Sequence, residues 1–422
     1  MPDGTLIVGG GLAGLSCARE LGLSGHDSTL FEAADRIGGL CRTDLVEGFS
    51  FDWTGHWLHA RDPEMRALIE ERWLSGNLLA VQRRARIHSE GVWTDFPYQF
   101  NLHGLPSPTV TDCIVGFVER PRAGPLRHAA DFIERHLGAG FARHFMRPYN
   151  EKLFTVPCEE LSPEWGGRFI PRPTLEEVVA GAVGTAPLGA GYNASFWYPR
   201  EGGIEALARG VARDVKGEIR TSAPVQRIDL AARRIELRGG DKLPYRRLVY
   251  TGPLSAAARL ADVEAATRLR AVSVTVVEVG ATDAGGERFH WAYFPEPRFA
   301  FYRIGSPSEV NPRLAPPGCR SFALEFSHQG PVAKERLIES SIAALSDLGL
   351  LRPSEVRVAR ARTIQVAYVL FDQSYASARQ IVLDTLADGG VVCAGRYGRW
   401  EYSSMEDALL SGREAARECS RS

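Results

Sequence analysis

A glycine-rich turn set between a strand and a helix constrains this chain more than any other feature. Thr5 to Val8 is a short β-branched and apolar run; it stops at Gly9-Gly10-Gly11-Leu12-Ala13-Gly14, and an apolar helical pattern of Leu12, Leu15, Ala18 and Leu21 follows at once. Strand, tight turn and helix are expected in that order. Gly9 and Gly11 let the turn form and let backbone approach a pyrophosphate, Gly14 lets helix pack on strand, and the first N–H groups of the helix point at the anion. A second strand, Ser28 to Phe31, ends in Glu32. About twenty residues beyond the glycines, a carboxylate can accept both hydroxyls of an adenosine ribose. Glycine-rich turns are common, and this chain has 43 glycines. The placement between strand, helix and acid is what favours dinucleotide binding over a plain turn.

Behind that acid the chain reads Glu32-Ala33-Ala34-Asp35-Arg36-Ile37-Gly38-Gly39. This stretch resembles the FAD signature of amine-oxidase-like flavoproteins, in which the arginine and the glycine pair line the pyrophosphate and the flavin edge. NAD alone is the weaker reading.

The chain of 422 residues suggests two to three domains, and its 44% hydrophobic content suits a large buried core. A formal net charge of −1 gives no electrostatic reason to expect nucleic acid or an acidic membrane surface. Of the 50 lysines and arginines, four are lysine (Lys152, Lys216, Lys242, Lys334) and the other 46 are arginine, so any single arginine says little. Seven cysteines lie scattered with no CxxC pair, which reads as reduced thiols rather than a disulfide frame or metal site. No apolar run approaches the roughly 18 residues of a membrane span. A soluble, cytoplasmic protein is expected, without membrane or nucleic-acid partners.

Further along, Thr54-Gly55-His56-Trp57 follows an alternating segment, Phe49 to Trp53. A glycine then a histidine just past a strand suits an imidazole held against a planar cofactor, and suits a buried turn histidine equally. His56 and His59 lack the neighbouring acids or thiols of a metal site. In Asp95-Phe96-Pro97-Tyr98-Gln99-Phe100-Asn101, proline imposes extended backbone, so both flanking rings can face one pocket while Gln99 offers an amide to a base edge. Residues 108–142 have helical spacing broken by Pro121 and Pro125. Alternation at 270–280 and 320–327 suggests an antiparallel sheet, and a last helix spans Met405 to Glu418, with Ser411 and Gly412 small where it approaches the cofactor.

The Asp95 to Asn101 stretch, the run Arg147-Pro148-Tyr149-Asn150-Glu151-Lys152-Leu153-Phe154, and Tyr192-Asn193-Ala194-Ser195-Phe196-Trp197-Tyr198-Pro199 together resemble UDP-galactopyranose mutases, and more the eukaryotic type than the bacterial. Trp291-Ala292-Tyr293, Phe301-Tyr302-Arg303 and Gly395-Arg396-Tyr397 extend the likeness nearly to the C-terminus. The resemblance implies an α/β fold: a Rossmann-like FAD-binding domain, discontinuous over 1–60, 200–253 and 386–422; a mainly helical domain over 61–90 and 104–190; and an antiparallel-sheet substrate domain over 91–103, 191–199 and 254–385.

It also implies an isomerase that interconverts the pyranose and furanose forms of a nucleotide sugar. Reduced FAD acts through N5 as nucleophile on the anomeric carbon, with NADPH or NADH as candidate reductants and the physiological reductant left open. By the same resemblance Arg303, Arg168 and His56 are the catalytic candidates, with Arg172 competing for the place of Arg168. Phe96, Tyr98, Gln99, Asn150, Phe154, Asn193, Tyr293, Tyr368 and Tyr402 would bind substrate. Gly9, Gly11, Leu12, Ala13, Gly14, Glu32, Arg36, Gly38, Gly39, Gly55, His56, Val225, Arg396 and Tyr402 would hold FAD, with Val225 by the adenine. No metal is implied, and the oligomeric state, a homo-oligomer included, is left open.

The chain departs from the family in having Phe96-Pro97-Tyr98-Gln99 for Tyr-Pro-Phe-Gln, and Phe154 for tryptophan. Losing one phenol and gaining another rearranges hydrogen bonds around the base, where discrimination is strongest. The expected substrate is therefore UDP-galactose-like or a GDP-hexose. The competing class is an amine-oxidase-like oxidase or desaturase, which shares the N-terminal signature but not the two middle motifs.

Overall fold

The computed structural model describes residues 4–166, 170–185 and 194–421. Its first layer is a five-stranded parallel sheet in the order Val391–Cys393, Leu248–Tyr250, Thr5–Val8, Ser28–Phe31, Glu218–Arg220. Strand alternation decides what each face meets. Ile7, Leu30 and Val249 point into one core with the helices Leu12–Leu23, Glu205–Ala212 and Met405–Ser420, while Leu6, Phe31, Leu248 and Tyr250 point into another. That second core is closed by the small sheet Val225–Asp229, Arg234–Leu237, Lys242–Pro244 and by the helices Leu254–Leu260 and Tyr375–Asp388. A parallel sheet covered on both faces is the doubly wound arrangement the glycine turn calls for.

A second, larger sheet runs in the order Val356–Val369, Ala271–Thr282, Cys319–His328, Arg303–Gly305, Trp291–Tyr293, Ala85–Ser89, Val92–Asp95. Neighbours are antiparallel except Trp291–Tyr293 beside Ala85–Ser89. Its outer face packs Val277, Val279, Phe322, Leu324 and Ile304 against the helix Lys334–Asp347. The alternate residues Val274, Val276 and Ala323 face the opposite way, toward the dinucleotide half.

The helices Ser107–Val118, Ala129–Phe141, Arg147–Phe154 and Leu175–Ala182 form the third unit, with Phe117, Phe141, Phe145 and Val178 in its core. Several segments fall on other elements than the sequence suggests. The range 61–90 given to the mainly helical domain also holds two strands, Ala85–Ser89 in the large sheet and Leu78–Gln82. The latter pairs with Ser195–Pro199, whose Phe196 and Tyr198 join the dinucleotide-side core instead of the large sheet. The expected boundary at 386 falls inside the helix Tyr375–Asp388, which packs on the parallel sheet.

Candidate active site

The two sheets border a cavity of about 1010 Å³, to which the segment of the helical unit contributes Pro171. At its dinucleotide end, Gly9 holds φ +107°, a conformation open to glycine, and the helix Leu12–Leu23 begins at Gly11. Gly9, Gly10, Gly11, Leu12 and Ala13 line the wall, so the helix N-terminus faces the cavity. A Cβ on Gly11 would meet only the Gly39 Cα at 3.7 Å, leaving an open backbone cradle on that side. Gly14 has a different task. A Cβ there would collide with the Gly9 carbonyl oxygen, so its smallness seats helix on turn.

Glu32 lines the same wall. One of its oxygens accepts from the Gly10 N–H at 2.7 Å and the other from the Ala34 N–H at 2.9 Å, which fixes the carboxylate at the strand end. Val225, Gly38 and Gly39 are also on the lining. Arg36 is not. It pairs with Asp44 and lies 3.9 Å from Glu205, so its charge is turned toward those acids rather than toward a pyrophosphate.

The far end gathers Gly55, His56, Trp57, Trp291, Arg303, Tyr368, Arg396 and Tyr402. Arg303 and Glu325 are opposed on neighbouring strands. The guanidinium donates from Nη2 to both carboxylate oxygens, at 2.9 and 2.7 Å, and from Nε at 3.2 Å, while Tyr302 donates to the same carboxylate. Burial opposes the charge on Arg303, but Glu325 and the surrounding phenols outweigh it and hold the guanidinium well above its ordinary pKa. Its plane stacks 4.4 Å over Trp291, which in turn stacks on Trp57 at 3.7 Å. Arg303 Nη2 also lies 3.4 Å from the Tyr368 hydroxyl.

Tyr368 and Tyr402 stack at 6.3 Å, and Arg396 covers the Tyr402 ring at 4.3 Å while donating to the Ser403 carbonyl at 2.8 Å. Burial pushes the Tyr368 phenol up to about 12, so it stays a donor at neutral pH. Burial pulls His56 down to about 4, helped by Arg396 and Arg303 and opposed by the Thr54 carbonyl. The imidazole facing this end of the cavity is therefore neutral.

Phe96 lines the cavity and stacks on Tyr293 at 4.8 Å. Tyr98 does not share its pocket. Tyr98–Phe100 is a single 3-10 turn, which swings the Tyr98 ring onto Phe145 at 4.9 Å inside the helical core. Gln99 is buried and donates to the Pro171 carbonyl at 2.8 Å. Asn150, which donates to the Met146 carbonyl at 2.6 Å, and Phe154, which packs edge-on against Trp165 and Tyr368, are both off the cavity lining. Tyr293 also lies off the lining; its hydroxyl accepts from Arg83 at 3.0 Å. Arg168 and Asn193 lie outside the described residues. Arg172 stacks 5.3 Å over Phe132 and is likewise off the lining.

Sequence reasoning passed over Arg83, Trp57 and Glu325, all on the cavity wall. Arg83 stacks over Phe96 at 4.9 Å and had no signal among so many arginines. Glu325 had none either: it shares its strand face with Ser321, Ala323 and Ser327, where an acid does not stand out. Among the described residues no group of three or more His, Cys, Asp or Glu could hold a metal, and no helix is long and apolar enough to cross a membrane. The last helix also corrects an expectation. A Cβ on Gly412 would collide with the Ala13 carbonyl, and the Ser411 hydroxyl accepts from Gly395 N–H at 2.9 Å, so these small residues serve helix packing.

A parallel sheet with this glycine turn, joined to a second sheet across a long cavity, defines a dinucleotide-binding flavoprotein fold. The family description "NAD(P)-binding Rossmann-like domain" matches residues 7–72, and "Flavin containing amine oxidoreductase" matches residues 117–282. These matches support FAD as the dinucleotide. Over its whole length the chain resembles UDP-galactopyranose mutase: a crystal structure of the reduced enzyme superposes with a TM-score of 0.92 at 26% identity, covering 99% of this chain and 95% of that one. Coproporphyrinogen III oxidase of Mycobacterium tuberculosis is 32% identical over 198 residues, 45% of this chain, and the chain spans only 40% of that relative's length. Nicotine dehydrogenase of Pseudomonas putida is 40% identical over 65 residues, 15% of this chain and 14% of the relative.

Proposed function

We propose that this chain is a FAD-dependent intramolecular transferase that interconverts the pyranose and furanose forms of a nucleoside-diphosphate sugar, UDP-galactose-like or a GDP-hexose. The observation that carries this reading is the convergence of Arg303, Tyr368, Tyr402 and Arg396 at one end of a dinucleotide-sized cavity. The Arg303 guanidinium and two phenols there suit a diphosphate, which takes charge-assisted hydrogen bonds from such donors. Gly9, Gly11, Leu12 and Ala13 would hold the FAD pyrophosphate, Glu32 the ribose, Val225 the adenine, and Gly38, Gly39, Gly55, His56 and Arg396 the flavin. Bound FAD in its reduced form would supply the nucleophile for the anomeric carbon.

The chain's own residues then have separable tasks. Arg303, held by Glu325 and Trp291, opposes the charge that develops on the departing diphosphate. Tyr368 and Tyr402 donate to it without adding charge. Neutral His56 keeps a further cation away from the flavin end. Phe96 offers a face to the base, and Arg168 and Asn193 complete the set by resemblance. NADPH or NADH would reduce the flavin.

Substrate and product have the same oxidation state, so turnover consumes no oxygen. The second reading, an oxidase or desaturase, is favoured by the amine oxidoreductase match over 117–282. Purified protein assayed with dithionite-reduced and with oxidised FAD against UDP- and GDP-hexoses separates the two. Isomerisation that requires reduced flavin supports the mutase, and stoichiometric hydrogen peroxide supports the oxidase and defeats the mutase.

A further inference from the structure

Lys152 lies in the last turn of the helix Arg147–Phe154, two residues after Asn150. Its Nζ donates to the backbone carbonyls of Phe294, Glu296 and Phe299, each at 2.7 Å, and approaches that of Phe301 at 3.4 Å. An ammonium has three hydrogens, and three equidistant acceptors use them all. Burial pulls Lys152 down to about 8, with the Glu296 carboxylate opposing, so at neutral pH the third hydrogen is in place.

The four carbonyls belong to the turn that joins the strand Trp291–Tyr293 to the strand Arg303–Gly305. Two backbone bonds brace this turn, from Phe294 N–H to the Tyr302 carbonyl at 3.0 Å and from Phe299 N–H to the Glu296 carbonyl at 3.2 Å. Around them Phe294, Phe299 and Phe301 are buried and packed ring on ring. Carbonyls turned inward in such surroundings repel one another and have no water to face, so a cation at their focus determines the shape of the turn. The Glu296 carboxylate is held by His88 at 2.5 Å and Arg298 at 3.3 Å, and it is the backbone carbonyl of Glu296 that accepts from Lys152.

We propose that Lys152 is a positioning residue: it clamps the hairpin that carries Tyr293 and Arg303 to the helix that carries Asn150, and so fixes where the substrate diphosphate is held. The clamp follows from the geometry alone, and its consequence for the diphosphate rests on the functional reading above. A methionine at this position has similar volume but no donors, so Lys152→Met releases the carbonyls without opening a large void.

Two measurements on the FAD-loaded protein test this. Amide hydrogen exchange in Lys152→Met should quicken by about tenfold or more across residues 291–305, the scale of losing charged hydrogen bonds, and stay unchanged in the Thr5–Val8 strand. Titration with UDP and with GDP should show that whichever nucleotide the wild type binds is held about tenfold more weakly by the variant, with the flavin absorbance intact. If Lys152→Met does not accumulate as holoprotein, Lys152→Ala purified with propylammonium allows the same comparison when the amine is removed. Unaltered exchange across 291–305 overturns the proposal, and so does faster exchange with nucleotide affinity unaltered. Wild-type protein that binds neither nucleotide defeats the nucleotide-sugar reading instead, and the exchange measurement still decides the clamp.

Discussion

Arg303 and Glu325 face each other across adjacent antiparallel strands, and the carboxylate takes three hydrogen bonds from the guanidinium while Trp291 covers its plane. Arg303 cannot swing, so its charge is delivered at one point of the cavity. The side chains are only 12% and 3% exposed. Removing one partner therefore strands the other charge.

Arg303→Ala should lower turnover by about 10²-fold or more, the scale seen when a donor to developing charge is lost. It should also cost about 3 kcal/mol of stability, because Glu325 is left buried and unpaired. The double variant Arg303→Met, Glu325→Leu separates the two effects. It should regain stability in denaturant titration and remain inactive. Recovery of turnover in the double variant would remove Arg303 from the diphosphate site.

The glycines divide into those that face the cavity and those that face protein. Gly14→Ala and Gly412→Ala each drive a methyl into a backbone carbonyl, of Gly9 and Ala13 respectively. Each should destabilise by about 1–3 kcal/mol through overpacking, read as a lower unfolding midpoint. Gly11→Ala meets nothing closer than 3.7 Å and should keep its midpoint in the protein freed of cofactor, while FAD affinity falls because the methyl enters the pyrophosphate path. Equal losses of midpoint in all three would show that Gly11 is structural as well.

The dinucleotide half was legible because each signal there is local: a turn that needs positive φ at Gly9, a helix that starts at once, an acid at the end of the next strand. Strand alternation likewise made the large sheet readable before its partners were known. The substrate side was not readable in the same way. Phe96 and Tyr98 are two residues apart, which shares a face in extended backbone, but Phe100 N–H bonds back to the Pro97 carbonyl and Asn101 N–H to that of Tyr98, and the tight turn sends the second ring elsewhere. Arg36 was expected at a pyrophosphate by analogy, and Asp44, on the hairpin Thr43–Val46 with Phe49–Asp52, takes it instead. Glu325 and Lys152 act on residues distant in sequence, and no local pattern reports such a pairing.

Tyr98 and Phe96 make opposite predictions from one motif. Tyr98 is wholly buried among Phe145, Phe141 and their neighbours, so Tyr98→Ala should cost about 3–5 kcal/mol of stability. Tyr98→Phe keeps the ring and should leave KM for the nucleotide sugar unaltered. Phe96→Ala removes a ring from the cavity wall and from the Tyr293 and Arg83 stack, and should raise KM with a smaller change in kcat. A KM change in Tyr98→Phe would mean that the helical core communicates with the base site.

The pH dependence of stability should carry the mark of His56. Burial lowers His56, His59 and His290 each to about 4 from an ordinary 6.5. The unfolded chain then binds more protons than the folded one between about 4 and 6.5, so stability rises with pH through that window and is lost as pH falls through it. Asp52 acts in the opposite sense. Buried with Tyr198 and Thr43, its carboxyl is pushed up to about 6, so the folded chain keeps a proton that the unfolded one releases from 3.8 upward, and stability falls as pH rises to 6. Three histidines outnumber one aspartate, and among these groups the slope of unfolding free energy against pH should be positive between pH 4 and 6.5. His56→Asn should reduce that slope by about one proton, measured by denaturant titrations at a series of pH values. If the slope is the same in the variant, His56 titrates like an exposed imidazole, and the end of the cavity meets a cation under mildly acidic conditions.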